Sequence, residues 1–142
     1  MSKIAIVYWS GTGNTAAMAG AVEAGAASAG AEVSVFGPSD FSAEKLADFE
    51  AFAFGCPAMG AEVLEESEFD PMFTGLEASL SGKKVGLFGS YGWGDGQWMR
   101  DWEDRCRADG ADLAAESVIC TDAPQEDTLA SLRSAGAALA ES

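Results

Sequence analysis

The chain contains no histidine among its 142 residues. This absence excludes Ser-His and Cys-His nucleophile pairs, histidine-ligated zinc and a histidine pH switch. Cysteine is also scarce, because Cys56, Cys106 and Cys120 are odd in number, widely spaced and form no C-x-x-C motif. We therefore expect reduced thiols, and neither a disulfide framework nor a cysteine-rich metal site.

Basic residues are also scarce. The chain has 8 Lys and Arg but 23 Asp and Glu, which gives a formal net charge of −15. Nucleic acid and anionic membrane surfaces are unfavourable partners for such a chain. The 48% of hydrophobic residues is enough for a packed core, so the acidity does not indicate disorder. The first apolar run is too short for a signal peptide or a membrane span. We expect a cytoplasmic protein whose residues 1–142 form a single domain.

Short apolar runs alternate with helical patterns along the chain. Buried strands are predicted at 4–8, 33–36, 51–54, 84–88 and within 113–120. Helices are predicted at 14–29, 68–80, 97–108 and 125–140, with a short helical stretch near 43–48. This alternation indicates an α/β fold, an open doubly wound parallel sheet of five strands with helices on both faces. In such sheets ligands bind beyond the carboxyl ends of the strands.

The loop after the first strand consists of Ser10, Gly11, Thr12, Gly13, Asn14 and Thr15. Two glycines allow a tight turn, and hydroxyl groups, an amide and a helix N-terminus can surround a phosphate without any cation. Ordinary helix capping would need only one of these polar side chains. The loop also matches the G-x-G-x-x-A dinucleotide fingerprint, but Phe36-Gly37-Pro38 at the end of the second strand offers no acidic residue for the ribose, and a Walker-type loop is absent. A terminal phosphate monoester fits the loop best.

The loop after the third strand consists of Gly55, Cys56, Pro57, Ala58, Met59, Gly60, Ala61 and Glu62. Taken alone, Met59 is more typical of a core filler than of a binding residue. Its place in a Pro/Gly turn after a buried strand weakens that interpretation, because the side chain is soft and polarisable and Gly60 can adopt either sign of φ.

The loop after the fourth strand consists of Gly89, Ser90, Tyr91, Gly92, Trp93, Gly94, Asp95 and Gly96. Two aromatic side chains among four glycines either fill part of the core or cover a flat ligand. Trp98 and Trp102, four residues apart on the next predicted helix, are more typical of core packing.

Taken together, these segments resemble the short-chain flavodoxins of anaerobic bacteria. The matching segments are YWSGTGNT at 8–15, GCPAMG at 55–60, LEES at 64–67, GSYGWGDG at 89–96 and WMRD at 98–101. They occur in order and cover essentially the whole chain, so they are far more specific together than any one motif alone.

The resemblance implies strand order 2-1-3-4-5 and one non-covalently bound FMN. It assigns the 5′-phosphate to Ser10, Thr12, Asn14, Thr15 and the amides across 11–15, including Gly13. The second loop contributes Pro57, Ala58 and Met59, with Met59 and Trp93 on opposite faces of the flavin ring. The amides of Gly92, Trp93 and Gly94 would bond the pyrimidine edge, with Ser90 and Tyr91 nearby, and Glu62 would accept a hydrogen bond from a ring N–H.

By the same resemblance, the Gly60–Ala61 peptide flips on reduction and stabilises the neutral semiquinone. Relatives often carry a polar residue where this chain has Ala61, which affects the energy of that flip. The implied function is that of a low-potential one-electron carrier shuttling between semiquinone and hydroquinone, a monomer without substrate chemistry of its own.

Five acidic residues follow the third strand: Glu62, Glu65, Glu66, Glu68 and Asp70. We expect them to disfavour the anionic hydroquinone, so that neutralising Glu62, Glu65 and Glu66 raises the semiquinone/hydroquinone potential. They would also attract redox proteins with basic docking patches, such as ferredoxin-type donors and acceptors, in a salt-dependent way. A solvated acidic loop is the simpler interpretation of the same residues.

Three other classes of protein are alternatives. An FMN-dependent reductase of quinones or azo compounds usually gains its substrate pocket by a loop insertion or by oligomerisation, and 142 residues leave no room for an insertion. A flavin-binding activator of a metalloenzyme would pass electrons to one dedicated partner. A receiver-type signalling domain needs paired acids after the first strand and an Asp after the third, where this chain has Tyr8-Trp9 and Gly55-Cys56.

Overall fold

The apolar runs of the sequence form the parallel strands of one sheet. The computed structural model describes residues 2–60, 62–92 and 94–142. The strands are β1 (Lys3–Tyr8), β2 (Glu32–Phe36), β3 (Ala51–Gly55), β4 (Lys84–Tyr91), β5 (Asp112–Leu113) and β6 (Val118–Thr121). They pair in the order β2-β1-β3-β4-β5, and β6 also pairs with β4. The predicted α/β fold and sheet order are confirmed.

Four helices cover the sheet: α1 (Asn14–Ser28), α2 (Phe69–Glu77), α3 (Gln97–Ala108) and α4 (Glu126–Glu141). Two short 3₁₀ segments, Pro38–Asp40 and Ala43–Asp48, lie between β2 and β3. Pro71 lies in the first turn of α2, where its missing N–H does no harm. No helix in the described part of the chain is both long and apolar enough to span a membrane.

Alternate residues of the central strands face two separate cores. Ile4 and Ile6 of β1 pack with Met18 of α1 and Leu132 of α4 on one face. Ala5 and Val7 face the opposite way, toward the aromatic core made by α2 and α3. Because a strand alternates its side chains, a continuous apolar run is what a sheet buried on both faces requires.

The fifth strand position differs from the prediction of one strand within 113–120, because two short strands occupy it. Val85 pairs with Leu113 and Phe88 pairs with Val118, so β4 advances 88 − 85 = 3 residues where its partner advances 118 − 113 = 5. The two additional residues must leave the ladder, and the strand is interrupted between β5 and β6. β4 also continues to Tyr91, three residues beyond its predicted end.

Candidate functional site

A cleft of about 260 Å³ opens at the carboxyl edge of the sheet, where the three predicted loops meet. It is lined by Trp9, Gly11, Thr12, Asn14, Pro57, Ala58, Met59, Ser90, Tyr91, Gly92 and Asp122. The predicted residues Ser10, Gly13, Thr15, Gly60, Glu62 and Gly94 are not in its wall. The remaining two, Ala61 and Trp93, lie outside the described residues, and so does the Gly60–Ala61 peptide.

The first loop is held in shape by its own hydroxyl groups. Ser10 Oγ accepts hydrogen bonds from the amides of Gly13, at 3.1 Å, and Ala16, at 3.3 Å. Gly13 has a φ of 97°, a left-handed conformation that glycine adopts without strain. The sequence also allowed a capping role for this loop, and Ser10, which does not line the cleft, performs it.

Other backbone donors of the same loop are not used by the described part of the chain. The amides of Gly11, Thr12 and Thr15 have no acceptor among the described residues. They lie at the N-terminus of α1, whose dipole favours a negative charge. Because the described wall of the cleft includes no Lys or Arg, these amides and hydroxyls are its means of binding an anion. Donors of this kind suit a phosphate monoester.

The second loop is anchored to its neighbours by backbone hydrogen bonds. The amide of Ala58 donates to the carbonyl of Ser90 at 3.0 Å, and that of Met59 to the carbonyl of Val63 at 2.9 Å. Met59 is only half-buried and lines the cleft, so it does not fill the core. Beneath it, Cys56 is fully buried, and this burial raises the pKa of the thiol to about 12. Cys56 is thus an inert packing residue at neutral pH.

Glu62 connects the second loop to the third. Its φ of 53° is left-handed, and its Oε1 accepts a hydrogen bond from the backbone amide of Gln97, 3.2 Å away at the start of α3. A Cβ at Gly94 would lie 2.5 Å from the same Oε1, so a side chain there would displace the carboxylate. One oxygen of Glu62 is therefore engaged by α3 while the other, Oε2, has no hydrogen-bond donor among the described residues.

The third loop is joined to the first through a buried contact. Thr15 and Ser90 are both buried, and their hydroxyl oxygens lie 3.4 Å apart. Tyr91 packs against Trp98, with ring centroids 5.3 Å apart. Trp98 and Trp102 are each 1% exposed, which confirms that this pair belongs to the core.

Two residues of the wall, Trp9 and Asp122, are absent from the residues predicted to bind the cofactor. Asp122 follows β6 in a left-handed conformation with a φ of 54°, and its amide donates to the carbonyl of Tyr91 at 2.9 Å. The signal that could have found both is topological. Each directly follows a parallel strand, and all such strand ends meet at one edge of the sheet.

The acidic residues after β3 do not share one environment. Glu65 is buried and its carboxylate binds the N-terminus of α2, while Asp70 forms a 2.7 Å ion pair with Arg105 of α3. Glu66 and Glu68 are both exposed, and Glu68 also accepts a hydrogen bond from the indole of Trp9. Only part of this acidic segment is therefore free solvated charge.

Comparison with known proteins identifies the family. A sequence model of the Flavodoxin family matches residues 6–136. The chain is 48% identical to the flavodoxin of Megasphaera elsdenii over 116 residues, covering 82% of this chain and 85% of that protein. It is 47% identical to the flavodoxin of Clostridium beijerinckii over 121 residues, covering 85% and 88% respectively.

The fold agrees with these sequence matches. The solution structure of two-electron reduced Megasphaera elsdenii flavodoxin superposes with a TM-score of 0.90 at 45% identity, covering 98% of this chain and 99% of that one. A flavodoxin from the domain Archaea superposes with a TM-score of 0.82 at 28% identity. The chain therefore belongs to the flavodoxin family of electron-transfer proteins, which bind FMN.

Proposed function

We propose that this flavodoxin carries electrons one at a time, at low potential, between cytoplasmic redox proteins, as a monomer whose residues 1–142 form one domain. The observation that carries the proposal is the cleft at the carboxyl edge of the sheet, with unpaired loop amides and no cation in its described wall. Bound FMN supplies the redox chemistry, and the chain supplies binding, orientation and the electrostatic environment.

The phosphate end of the cleft is assigned to the first loop. We assign the 5′-phosphate of FMN to the side chains of Ser10, Thr12, Asn14 and Thr15 and to the amides across residues 11–15. The α1 dipole supports this assignment because it compensates a bound anion where the loop has no lysine or arginine. Ser10 and Thr15 also hold the loop in shape: Ser10 Oγ accepts from two loop amides, which leaves its O–H free to donate to the phosphate, and the Thr15 hydroxyl lies 3.4 Å from that of Ser90.

The flavin ring is assigned to the space between the second and third loops. Met59 is partly exposed beside Pro57 and Ala58, where its thioether can lie on a flat aromatic ring. Trp93 is proposed to cover the opposite face of the ring. The Gly60–Ala61 peptide is proposed to flip when the flavin is reduced. These two proposals rest on the family resemblance.

We propose that polar groups of the second and third loops, together with Asp122, define the orientation of the ring. We assign the pyrimidine edge to the amides of Gly92, Trp93 and Gly94, and a ring N–H to the unengaged Oε2 of Glu62. Asp122, whose Oδ1 would lie 3.8 Å from a Cβ at Gly92, is assigned as an acceptor for ribityl hydroxyl groups. These carboxylates leave the phosphate loop as the favourable end for an anion.

The first test is whether the protein binds FMN in preference to riboflavin. A hydrogen bond to a charged group contributes about 1.5–3 kcal/mol, so two or more of them should make FMN bind at least about 100-fold more tightly than riboflavin. Titrations followed by flavin fluorescence, in a buffer free of inorganic phosphate, measure both affinities. A protein that fails to bind added FMN would overturn the proposed function. Equal affinities would overturn only the phosphate site.

The second test concerns the low potential. A carboxylate about 10 Å from the flavin should lower the potential of the second one-electron reduction by about 20–70 mV. Because Glu66 follows the second loop of the cleft, Glu66→Gln should raise that potential in spectroelectrochemistry. Glu66 is the suitable position because it is exposed, whereas Glu65 is buried and Glu62 is bonded to α3.

The matched control for the potential measurement is Glu32→Gln. Glu32 is also exposed, but it begins β2 and so lies at the amino edge of the sheet, opposite the cleft. Its replacement removes the same charge at a much greater distance and should leave the potential nearly unchanged. Equal shifts in the two variants would contradict a local role for the acidic segment after β3.

A further inference from the structure

Trp9 lies between the proposed phosphate loop and the start of α2. Its amide donates to the carbonyl of Gly55 at 3.0 Å, which continues the pairing of β1 with β3 beyond the strand. The side chain is half-buried and lines the cleft. A Cβ at Gly11 would lie 3.0 Å from Cη2 and 3.2 Å from Cζ3 of the indole. The indole ring therefore lies directly against the backbone of the loop.

The polar edge of that ring is bonded to a residue that is distant in sequence. The indole Nε1 of Trp9 donates to Oε1 of Glu68 across 3.3 Å. The backbone of Glu68 is itself held, because its amide donates to Oε1 of the buried Glu65 at 2.8 Å. A chain of contacts thus runs from the core-anchored Glu65 through Glu68 and Trp9 to Gly11.

We propose that Glu68 is a positioning residue for the phosphate loop, acting through Trp9. The inference rests on the proposed FMN site and deepens it. The carboxylate of Glu68 fixes the rotation of the indole, and the indole supports Gly11, whose amide is one of those without an acceptor in the described chain. A loop held in its binding geometry loses less conformational entropy when phosphate binds.

The negative charge of Glu68 should lower the affinity for FMN, whereas its positioning role should raise it. This difference makes the proposal testable. A carboxylate near a phosphate weakens anion binding, whereas a hydrogen bond that positions the loop strengthens it. Glu68→Gln removes the charge and keeps an oxygen acceptor, while Glu68→Ala removes both. A charge effect alone predicts that both variants bind FMN more tightly than the unmodified protein. Positioning predicts that only the alanine variant binds it more weakly.

The experiment measures the Kd for FMN and for riboflavin in the full-length protein. A hydrogen bond of ordinary net strength corresponds to about a 2- to 10-fold change in affinity. We expect Glu68→Ala to raise the Kd for FMN by this factor and to leave the Kd for riboflavin within about twofold. Glu68→Gln should match or slightly exceed the affinity of the unmodified protein for FMN. Glu66→Ala, which removes a neighbouring exposed charge, should not weaken FMN binding.

A double-mutant cycle tests whether the effect passes through the indole. Trp9→Phe retains an aromatic ring against Gly11 but has no N–H, so it should weaken FMN binding to a similar extent. Adding Glu68→Ala to Trp9→Phe should then cause no further loss. Additive losses, or tighter FMN binding in Glu68→Ala, would overturn the proposal. Because the unmodified protein is titrated alongside, failure of FMN binding as such is recognised separately.

Discussion

Gly25→Ala and Gly136→Ala are each expected to destabilise the flavin-free protein by about 3 kcal/mol, the upper end of typical overpacking costs. The two glycines form one helix contact from opposite sides. A Cβ at Gly25 would collide with the backbone carbonyl of Arg133 in α4, and a Cβ at Gly136 with the carbonyl of Val22 in α1. Since the colliding atoms are backbone, no side-chain rotation relieves the overlap, and α1 and α4 must move apart.

Thermal and urea unfolding monitored by circular dichroism measure this effect. Gly20→Ala is the matched control, because Gly20 is an exposed glycine of the same helix with no atom within 4 Å of an added Cβ. Alanine there should stabilise the protein by about 0.5–1 kcal/mol through helix propensity. If Gly25→Ala is as stable as the unmodified protein, the close contact between α1 and α4 is wrong. Saturating FMN should restore part of the lost stability, since it binds only the folded state.

This helix contact marks a limit of what the sequence can predict. The strands were predictable because a strand buried on both faces is a local apolar run, as in Ala51–Gly55. The approach of Gly25 to Arg133, which are 133 − 25 = 108 positions apart in sequence, depends on how the sheet brings α1 and α4 together. Nothing in the local sequence around either glycine indicates that contact.

The candidate site shows the same division between local and long-range information. Loop 10–15 was predictable because its hydroxyls, glycines and helix N-terminus are adjacent in the sequence. Asp122 follows a short strand with no motif around it, and only the topology brings it to the cleft. The acidic segment after β3 contains no basic residue, yet Arg105 of α3 neutralises part of it through its ion pair with Asp70. Local composition cannot predict such a pairing.

Glu65→Ala is expected to lower the free energy of unfolding by about 3 kcal/mol at neutral pH. From the sequence alone, Glu65 is indistinguishable from the other acidic residues of a solvated loop. The residue is 5% exposed. Its Oε1 accepts from the amides of Glu68 and Phe69, each at 2.8 Å, and its Oε2 from the amide and hydroxyl of Ser67. These are amides at the start of α2 that no helical carbonyl can satisfy. Alanine leaves them without a partner.

The pH dependence of stability separates this carboxylate from a merely buried side chain. Burial acts to raise the pKa of Glu65, but the hydrogen bonds from Ser67, Phe69 and Glu68 outweigh it and lower the pKa to about 2, from an ordinary value of 4.5. The unfolded chain therefore takes up a proton at higher pH than the folded chain. The stability that Glu65 provides is complete above about pH 4.5 and is lost as the pH falls toward about 2.

Glu65→Gln tests this linkage because glutamine has nearly the same shape and cannot ionise. Between pH 4.5 and pH 2 its stability should fall less steeply than that of the unmodified protein, by up to about 1.4 kcal/mol per pH unit. Urea unfolding at several pH values measures the slope, with Glu66→Gln as the exposed neighbour that should leave it nearly unchanged. Burial beside Glu77 raises the pKa of Asp109 to about 6. Protonation of Asp109 therefore favours the folded state as the pH falls, opposite to the effect of Glu65, but this contribution is the same in all variants. If Glu65→Gln shows the same acid slope as the unmodified protein, the Glu65 carboxylate does not hold the start of α2 through its ionised form.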